Sequence, residues 1–160
     1  MGNVRFVFPK HKLTEQLQAA GGLPVADALE AAQANLVELR PECLSELQTL
    51  TVEASACFDQ FPPAFDPAPL KALYGVASRG VGTGAVCGIP GADTALISLC
   101  NLLDYLQTAR RWDLEAVAVH VKTLQLLVGS AGQDLGTAAS EAILSGLTKV
   151  SARYAQDPQA

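Results

Sequence analysis

The sequence has few aromatic residues and few charges, and each shortage limits what the protein can be. Aromatic residues make up 6% and charged residues 17% of the 160 positions, so alanine, leucine and valine must fill most of the core. Lysine and arginine number 11 against 16 aspartates and glutamates, a net charge of −5. This acidic balance argues against a general nucleic-acid-binding protein, which would carry a basic face.

Long apolar runs and closely spaced metal ligands are also missing from the sequence. No stretch of about 18 uncharged apolar residues is present, so no membrane span is evident. The N-terminal residues lack the pattern of a signal peptide, and we expect a cytoplasmic protein without a cofactor. No Cys-x-x-Cys pair occurs, so we expect no metal site and four reduced packing residues: Cys43, Cys57, Cys87 and Cys100.

Apolar residues recur every three or four positions along most of the chain, which is typical of amphipathic helices. The longest seam covers residues 29–61 and contains Pro41, which predicts either a kinked helix or two successive helices. A short polar helix beginning at Thr14 precedes it, and Asp113 is placed to cap a later helix. The remaining seams predict helices over about 70–87, 92–106, 114–128 and 135–154.

No segment alternates with period two for long enough to require a strand. We therefore predict an all-α protein, and an antiparallel four-helix bundle with a short extra N-terminal helix is the simplest way to bury these seams. The length favours one domain over residues 1–160, with an irregular segment at 1–12.

The segment predicted as a helix over residues 70–87 is unusually rich in glycine. Each glycine inside a helix costs about 0.8–1 kcal/mol relative to alanine, so several of them need a reason. On a helical wheel, the core side contains Leu73, Ala77, Gly80 and Gly84. The opposite side consists of Lys71, Gly75, Ser78, Gly82 and Ala85. It carries almost no charge, which suggests that a flat surface of a partner docks there.

The residues alone allow two other interpretations of these glycines. The segment could be an irregular one that only fills space. The run Gly80–Gly84 could also be part of a nucleotide-binding loop, but no Gly-Lys-Ser/Thr follows it. Ala85 stands where a dinucleotide fingerprint has its third glycine, so we do not expect a bound nucleotide.

The sharpest motif of the chain is Val76-Ala77-Ser78-Arg79-Gly80-Val81-Gly82, followed by Cys87-Gly88-Ile89-Pro90. It resembles the active helix of histidine-containing phosphotransfer domains, and most closely the bacterial variety that reads Ala-His-Asp-Leu-Lys-Gly and then Phe-Gly-Tyr-Pro. Looser similarities extend over most of the chain from about residue 9. The matching positions are Ala77, Gly82, Gly88 and Pro90. The resemblance implies a helical bundle that acts in two-component signalling.

Two departures fall on the residues that carry the chemistry of that family. Ser78 stands where the family has its phosphorylated histidine, and Val81 stands where it has the lysine that balances the phosphoryl charge. A serine phosphate ester is too stable to pass its phosphoryl group to an aspartate, as phosphohistidine does. The resemblance therefore implies a pseudo-phosphotransfer protein, in which Ser78 is a degenerate phosphoacceptor position.

The resemblance also implies the partners of such a protein. It would not be an enzyme, and it would bind the receiver domain of a response regulator, a histidine kinase, or both. The expected partner-binding residues are the bare face and the arginine beside it: Lys71, Gly75, Ser78, Arg79, Gly82 and Ala85.

Two alternative functions stay open at this point. The chain could be an active phosphotransferase that uses His120 or His11. His120 falls beside the seam of its helix, where a partly buried structural histidine is expected, and His11 stands between two lysines in an irregular segment. The glycine face could instead pack against a second copy of the chain, which would make the protein a helical dimerisation module.

Overall fold

The computed structural model describes residues 21–131 and 137–156, and these residues form helices joined by short turns. The all-α prediction is confirmed for this part of the chain. The helix predicted from Thr14, the segment 1–12 and His11 lie outside the described residues. The described helices are α1 (Val25–Asp59), α2 (Pro67–Gly80), α3 (Thr83–Cys87), α4 (Pro90–Ala109), α5 (Leu114–Gly129) and α6 (Thr137–Gln156).

The chain divides into two compact units, Met1–Asn35 and Leu36–Ala160. In the first unit the structure describes residues 21–35, where Leu23, Val25 and Leu29 are exposed. The second unit contains the rest of α1 and the helices α2 to α6. Among the described helices, none combines the length and the apolar character that crossing a membrane requires.

The core of the second unit is organised around α4. This helix contacts α2, α3, α5 and α6. Because α4 has helices packed on several of its sides, it needs apolar residues around much of its circumference. The spacing of its buried leucines and alanines provides this wide apolar stripe. The residues predicted for this seam are all buried, and they are joined by further members of the same helix: Ala92, Ala95, Leu96, Leu99, Leu102, Leu103 and Leu106.

Capping side chains and prolines define where the helices begin. Asp66 accepts a hydrogen bond from the backbone N–H of Ala68 at 2.9 Å, and Pro67 occupies the first turn of α2. Asp113 caps α5 as predicted, because its carboxylate accepts from the N–H of Ala116 at 2.9 Å. Pro41 lies inside α1, so the alternative of two successive helices is wrong.

Residues 70–87 do not form the single helix that the sequence predicts. α2 ends at Gly80, and Gly82 has a left-handed backbone with φ of 92°. The helix α3 that follows has five residues and ends at Gly88, where φ is 80°. Glycine adopts these conformations without the steric cost that other residues carry, so Gly82 and Gly88 let the chain turn immediately before and after α3. Gly82 and Ala85 therefore do not share the helical face of Gly75.

The seam of α1 is buried in only part of the second unit. Leu47, Leu50 and Ala54 belong to the core, whereas Leu36 and Leu39 are 48% and 47% exposed. Periodicity predicts all of these residues to face one side, but it does not show how far along the helix that side is covered.

Two glycines of this region provide a matched test of packing. A Cβ at Gly84 would lie 2.7 Å from the carbonyl oxygen of Ile89 and 3.0 Å from Cγ of Asp93, whereas a Cβ at Gly75 would meet no atom within 4 Å. Gly84→Ala should therefore lower the free energy of unfolding by about 1–3 kcal/mol. Gly75→Ala should raise it by about 0.5–1 kcal/mol, because alanine is the better helix former.

Urea denaturation followed by circular dichroism measures both changes on the same chain. A Gly84→Ala variant as stable as the Gly75→Ala variant would contradict the close backbone approach at residue 84.

Candidate functional site

The candidate site is the exposed side of α2. Its inner side contributes Leu70, Leu73, Val76, Ala77 and Gly80 to the core, as the helical wheel predicts up to that point. All six predicted partner-binding residues are exposed, but they fall into two groups. Four are on α2, whereas Gly82 lies in the turn after it and Ala85 lies on α3: Lys71, Gly75, Ser78, Arg79, Gly82 and Ala85.

The middle of this surface is shallow. Gly75 presents bare backbone, and the hydroxyl of Ser78 donates a hydrogen bond to the carbonyl oxygen of Gly75 at 3.1 Å. The hydroxyl is thus folded onto its own helix and does not project. Tyr74 and Val81 are both exposed and give the surface apolar edges. The backbone of a partner could approach such a surface closely, since no long side chain has to be displaced.

An ion pair borders the shallow surface. Arg79 on α2 donates to the carboxylate of Glu53 on α1. Both side chains are about half exposed, so water screens the attraction and the pair contributes little to stability. Its effect is to hold the guanidinium of Arg79 against Glu53 of α1. No local pattern predicts this pairing, because the two residues are 26 positions apart.

The carboxylate of Asp93 binds the turn between α2 and α3. Its Oδ1 accepts from the N–H groups of Gly82 at 2.9 Å and Gly84 at 3.0 Å, and its Oδ2 accepts from Ala85 at 2.8 Å. A nucleotide-binding loop would use these backbone N–H groups to bind phosphate, but here they already donate to the Asp93 carboxylate. Sequence reasoning missed Asp93. The available signal was an acidic residue in the first turn of the helix that follows the glycines.

His120 is buried completely, more deeply than the sequence predicts. Its Nδ1 lies 2.8 Å from the carbonyl oxygen of Ala116, which can only accept, so Nδ1 carries the proton. Its Nε2 then accepts from the hydroxyl of Ser98 at 3.0 Å, and a hydrogen bond of 2.7 Å connects Ser98 Oγ to Ser151 Oγ. Burial lowers the pKa of His120, although the hydrogen bond to Ala116 raises it. The ring is therefore neutral and inaccessible.

The described residues offer little further chemistry. No titratable side chain among them hydrogen bonds to Ser78, so its hydroxyl has no activating base. All four cysteines are unpaired, and burial raises the pKa of the Cys87 and Cys100 thiols, which makes them poorer nucleophiles. In the part of the chain that the structure covers, no group of histidine, cysteine, aspartate and glutamate could hold a metal ion.

Comparison with known proteins leaves the surface to be interpreted from its own geometry. No protein-family model, curated protein or solved structure matches the chain. The features of this chain that bear on function are the exposed side of α2 and the residues 76–90 that it partly contains.

The buried imidazole of His120 predicts a particular dependence of stability on pH. Its pKa is lowered in the folded state from the ordinary value of 6.5, so on acidification the unfolded chain takes up a proton first. The contribution of His120 to the free energy of unfolding should be complete above pH 6.5. As the pH is lowered below 6.5, the free energy of unfolding should decrease by at most about 1.4 kcal/mol per pH unit for one proton.

Urea denaturation at several pH values between 5 and 8 measures this slope. Asp113 does not interfere, because its pKa is lowered below 3.8: burial raises it, but hydrogen bonds from Tyr154 and backbone N–H groups outweigh that effect. His120→Gln should remove the slope, and His11→Gln should leave it. If His11→Gln removes the slope instead, the account of His120 is wrong.

Proposed function

We propose that the protein is a catalytically inactive, phosphotransfer-like signalling module that binds a receiver domain or a histidine kinase through the exposed side of α2. One observation carries the proposal: Ser78, which stands where the resembling family has its phosphorylated histidine, lies on the exposed side of α2, whereas Ala77 of the same motif belongs to the core. Gly75 lies one turn before Ser78, and Tyr74 and Val81 flank it.

The shallow surface suits a protein partner better than a small molecule. A ligand pocket buries most of its ligand in a concave cavity, whereas this side of α2 is open. Small residues lose little side-chain entropy on binding, and the exposed ring of Tyr74 can serve as the apolar anchor that protein interfaces favour. Lys71 supplies positive charge at the border, which suits an acidic partner surface, whereas the charge of Arg79 is balanced by Glu53.

The finer fold assignment belongs to the same proposal. An antiparallel four-helix bundle of the phosphotransfer type, preceded by a short extra helix, is compatible with the central position of α4 among α2, α5 and α6. The cytoplasmic location in a bacterium follows from the same resemblance.

The lack of catalytic activity is supported by the state of three described residues, Ser78, Val81 and His120. The hydroxyl of Ser78 is bonded to its own helix, and Val81 supplies no cation where the family has its lysine. His120 could replace the missing phosphoacceptor only if its ring reached the surface, but Nε2 faces two serine hydroxyls inside the core. Nothing in the described geometry favours phosphoryl transfer over binding.

A tryptophan at Gly75 tests the proposed surface. The purified protein is titrated by calorimetry against a panel of receiver and kinase domains, and we expect at least one micromolar complex, or about −8 kcal/mol. Gly75→Trp should weaken that complex at least tenfold, which is about 1.4 kcal/mol, since the ring would stand on the shallow surface.

Gly146→Trp is the matched control for this experiment. Gly146 is an exposed glycine within α6, and a Cβ there also meets no atom within 4 Å. Gly82 is unsuitable, because its positive φ would strain any substituent. Equal affinities for Gly75→Trp and the unaltered chain would refute the surface. A tight dimer that Gly75→Trp dissociates, without any hetero-complex, would favour the dimerisation module instead.

A phosphorylation assay tests the absence of relay chemistry. Incubation with phosphorylated receiver domains or with autophosphorylated kinases should leave no acid-labile phosphate on the protein, because no accessible imidazole is present among the described residues. Acid-labile label that is lost in a His120→Ala or His11→Ala variant would overturn this prediction and would restore the phosphotransferase alternative.

A further inference from the structure

We propose that a groove between α1 and α3 is a second docking site, and that its occupant is a basic amphipathic helix of a partner protein. This inference goes beyond the function proposed above and does not depend on it. The groove has a volume of about 520 Å³, is open to solvent, and lies entirely within the second unit. Its lining residues are Leu39, Glu42, Cys43, Ser45, Glu46 and Thr83.

The apolar side of the groove continues the seam of α1. Leu36, Leu39 and Cys43 follow the same spacing of three and four residues as the buried Leu47 and lie on the same side of the helix. Leu36 and Leu39 are nevertheless about half exposed, whereas Leu47 is fully buried. An apolar strip that leaves the core and continues into a groove fits the apolar side of another helix.

The rim of the groove is negative. Glu42 and Glu46 are both exposed and stand one turn apart on α1. Like charges at this spacing destabilise a helix, and neither carboxylate forms an ion pair with a lysine or arginine in the described residues. Arg40 is not among the residues that line the groove. Two unpaired carboxylates beside an apolar strip match lysines or arginines on the flank of a docking helix.

Charge also decides against the other occupants. A second copy of the chain would bring its own Glu42 and Glu46 against the same residues, and like charges that face each other oppose association. An anionic membrane surface or a nucleic acid would be repelled in the same way. A helix with leucines at intervals of three and four residues and lysines on one flank has the complementary pattern.

Fluorescence anisotropy with a designed peptide tests the groove. The probe is a labelled 18-residue amphipathic helix of leucine and lysine, and its counterpart has glutamate in place of each lysine; that length covers about five turns. We expect micromolar binding of the lysine peptide and binding of the glutamate peptide at least about a hundredfold weaker. Glu42→Lys/Glu46→Lys should weaken the lysine peptide at least about tenfold.

Two controls keep the result specific to the groove. Asp59→Lys/Asp104→Lys changes two exposed carboxylates away from the groove and gives the same net charge, so it should bind the lysine peptide as the unaltered chain does. Leu39→Glu removes the apolar contact and should also weaken binding. Circular dichroism establishes that each variant is folded, and Gly75→Trp should not change the affinity, which separates this site from the side of α2.

Each remaining outcome would overturn the inference. Equal losses in the two double variants would mean that net charge alone attracts the peptide. Undetectable binding to the unaltered chain would mean that the groove has no such occupant. Concentration-dependent dimerisation that Leu39→Glu abolishes, seen by analytical ultracentrifugation, would assign the groove to a second copy.

Discussion

The arrangement of α2, α3 and α4 depends on the carboxylate of Asp93. The N–H groups at the start of α3 have no partner in their own short helix, and a carboxylate in the first turn of α4 accepts three of them. The N–H of Ile89 donates to the carbonyl oxygen of Gly84 at 2.7 Å and closes the other side of the turn. The chain is thereby drawn so close to α4 that residue 84 has no room for a Cβ.

This constraint separates the glycines into groups with different physical reasons. Gly84 is required by the backbone of Ile89, and Gly80 lies where a Cβ would come within 3.0 Å of Leu96 and 3.3 Å of Leu50. Gly82 is required by its positive φ. Gly75 has neither reason, since it is helical and open. Its destabilising effect on α2 is not offset by any internal contact among the described residues.

Local sequence patterns predict where the helices of this protein lie better than they predict which residues distant in sequence contact each other. The seams of α4 and α5 and the cap at Asp113 follow from residues within a few positions of each other. The end of α2 cannot be predicted in this way. The local sequence of Gly80–Gly84 also fits a continuing helix, and the turn depends on hydrogen bonds to Asp93, which lies further along the chain. The bonds of His120 to Ser98 and Ser151 join residues 22 and 31 positions apart, which no periodicity encodes. The same limit applies to Leu39, whose helix was predicted but whose exposure was not.

Among the described residues, the side chains of His120 and Ser78 form their hydrogen bonds with other groups of the same chain. The imidazole of His120 bonds to Ala116 and Ser98, and the hydroxyl of Ser78 bonds to Gly75. A nucleophile has to keep a lone pair directed at its substrate, and the geometry directs the lone pair of His120 Nε2 into the core. The hydroxyl of Ser78 donates its proton to a backbone carbonyl oxygen, which is not a base that could activate it. The surface meanwhile retains apolar area at Tyr74 and Leu39, and burial of that area on association is favourable whatever chemistry is absent.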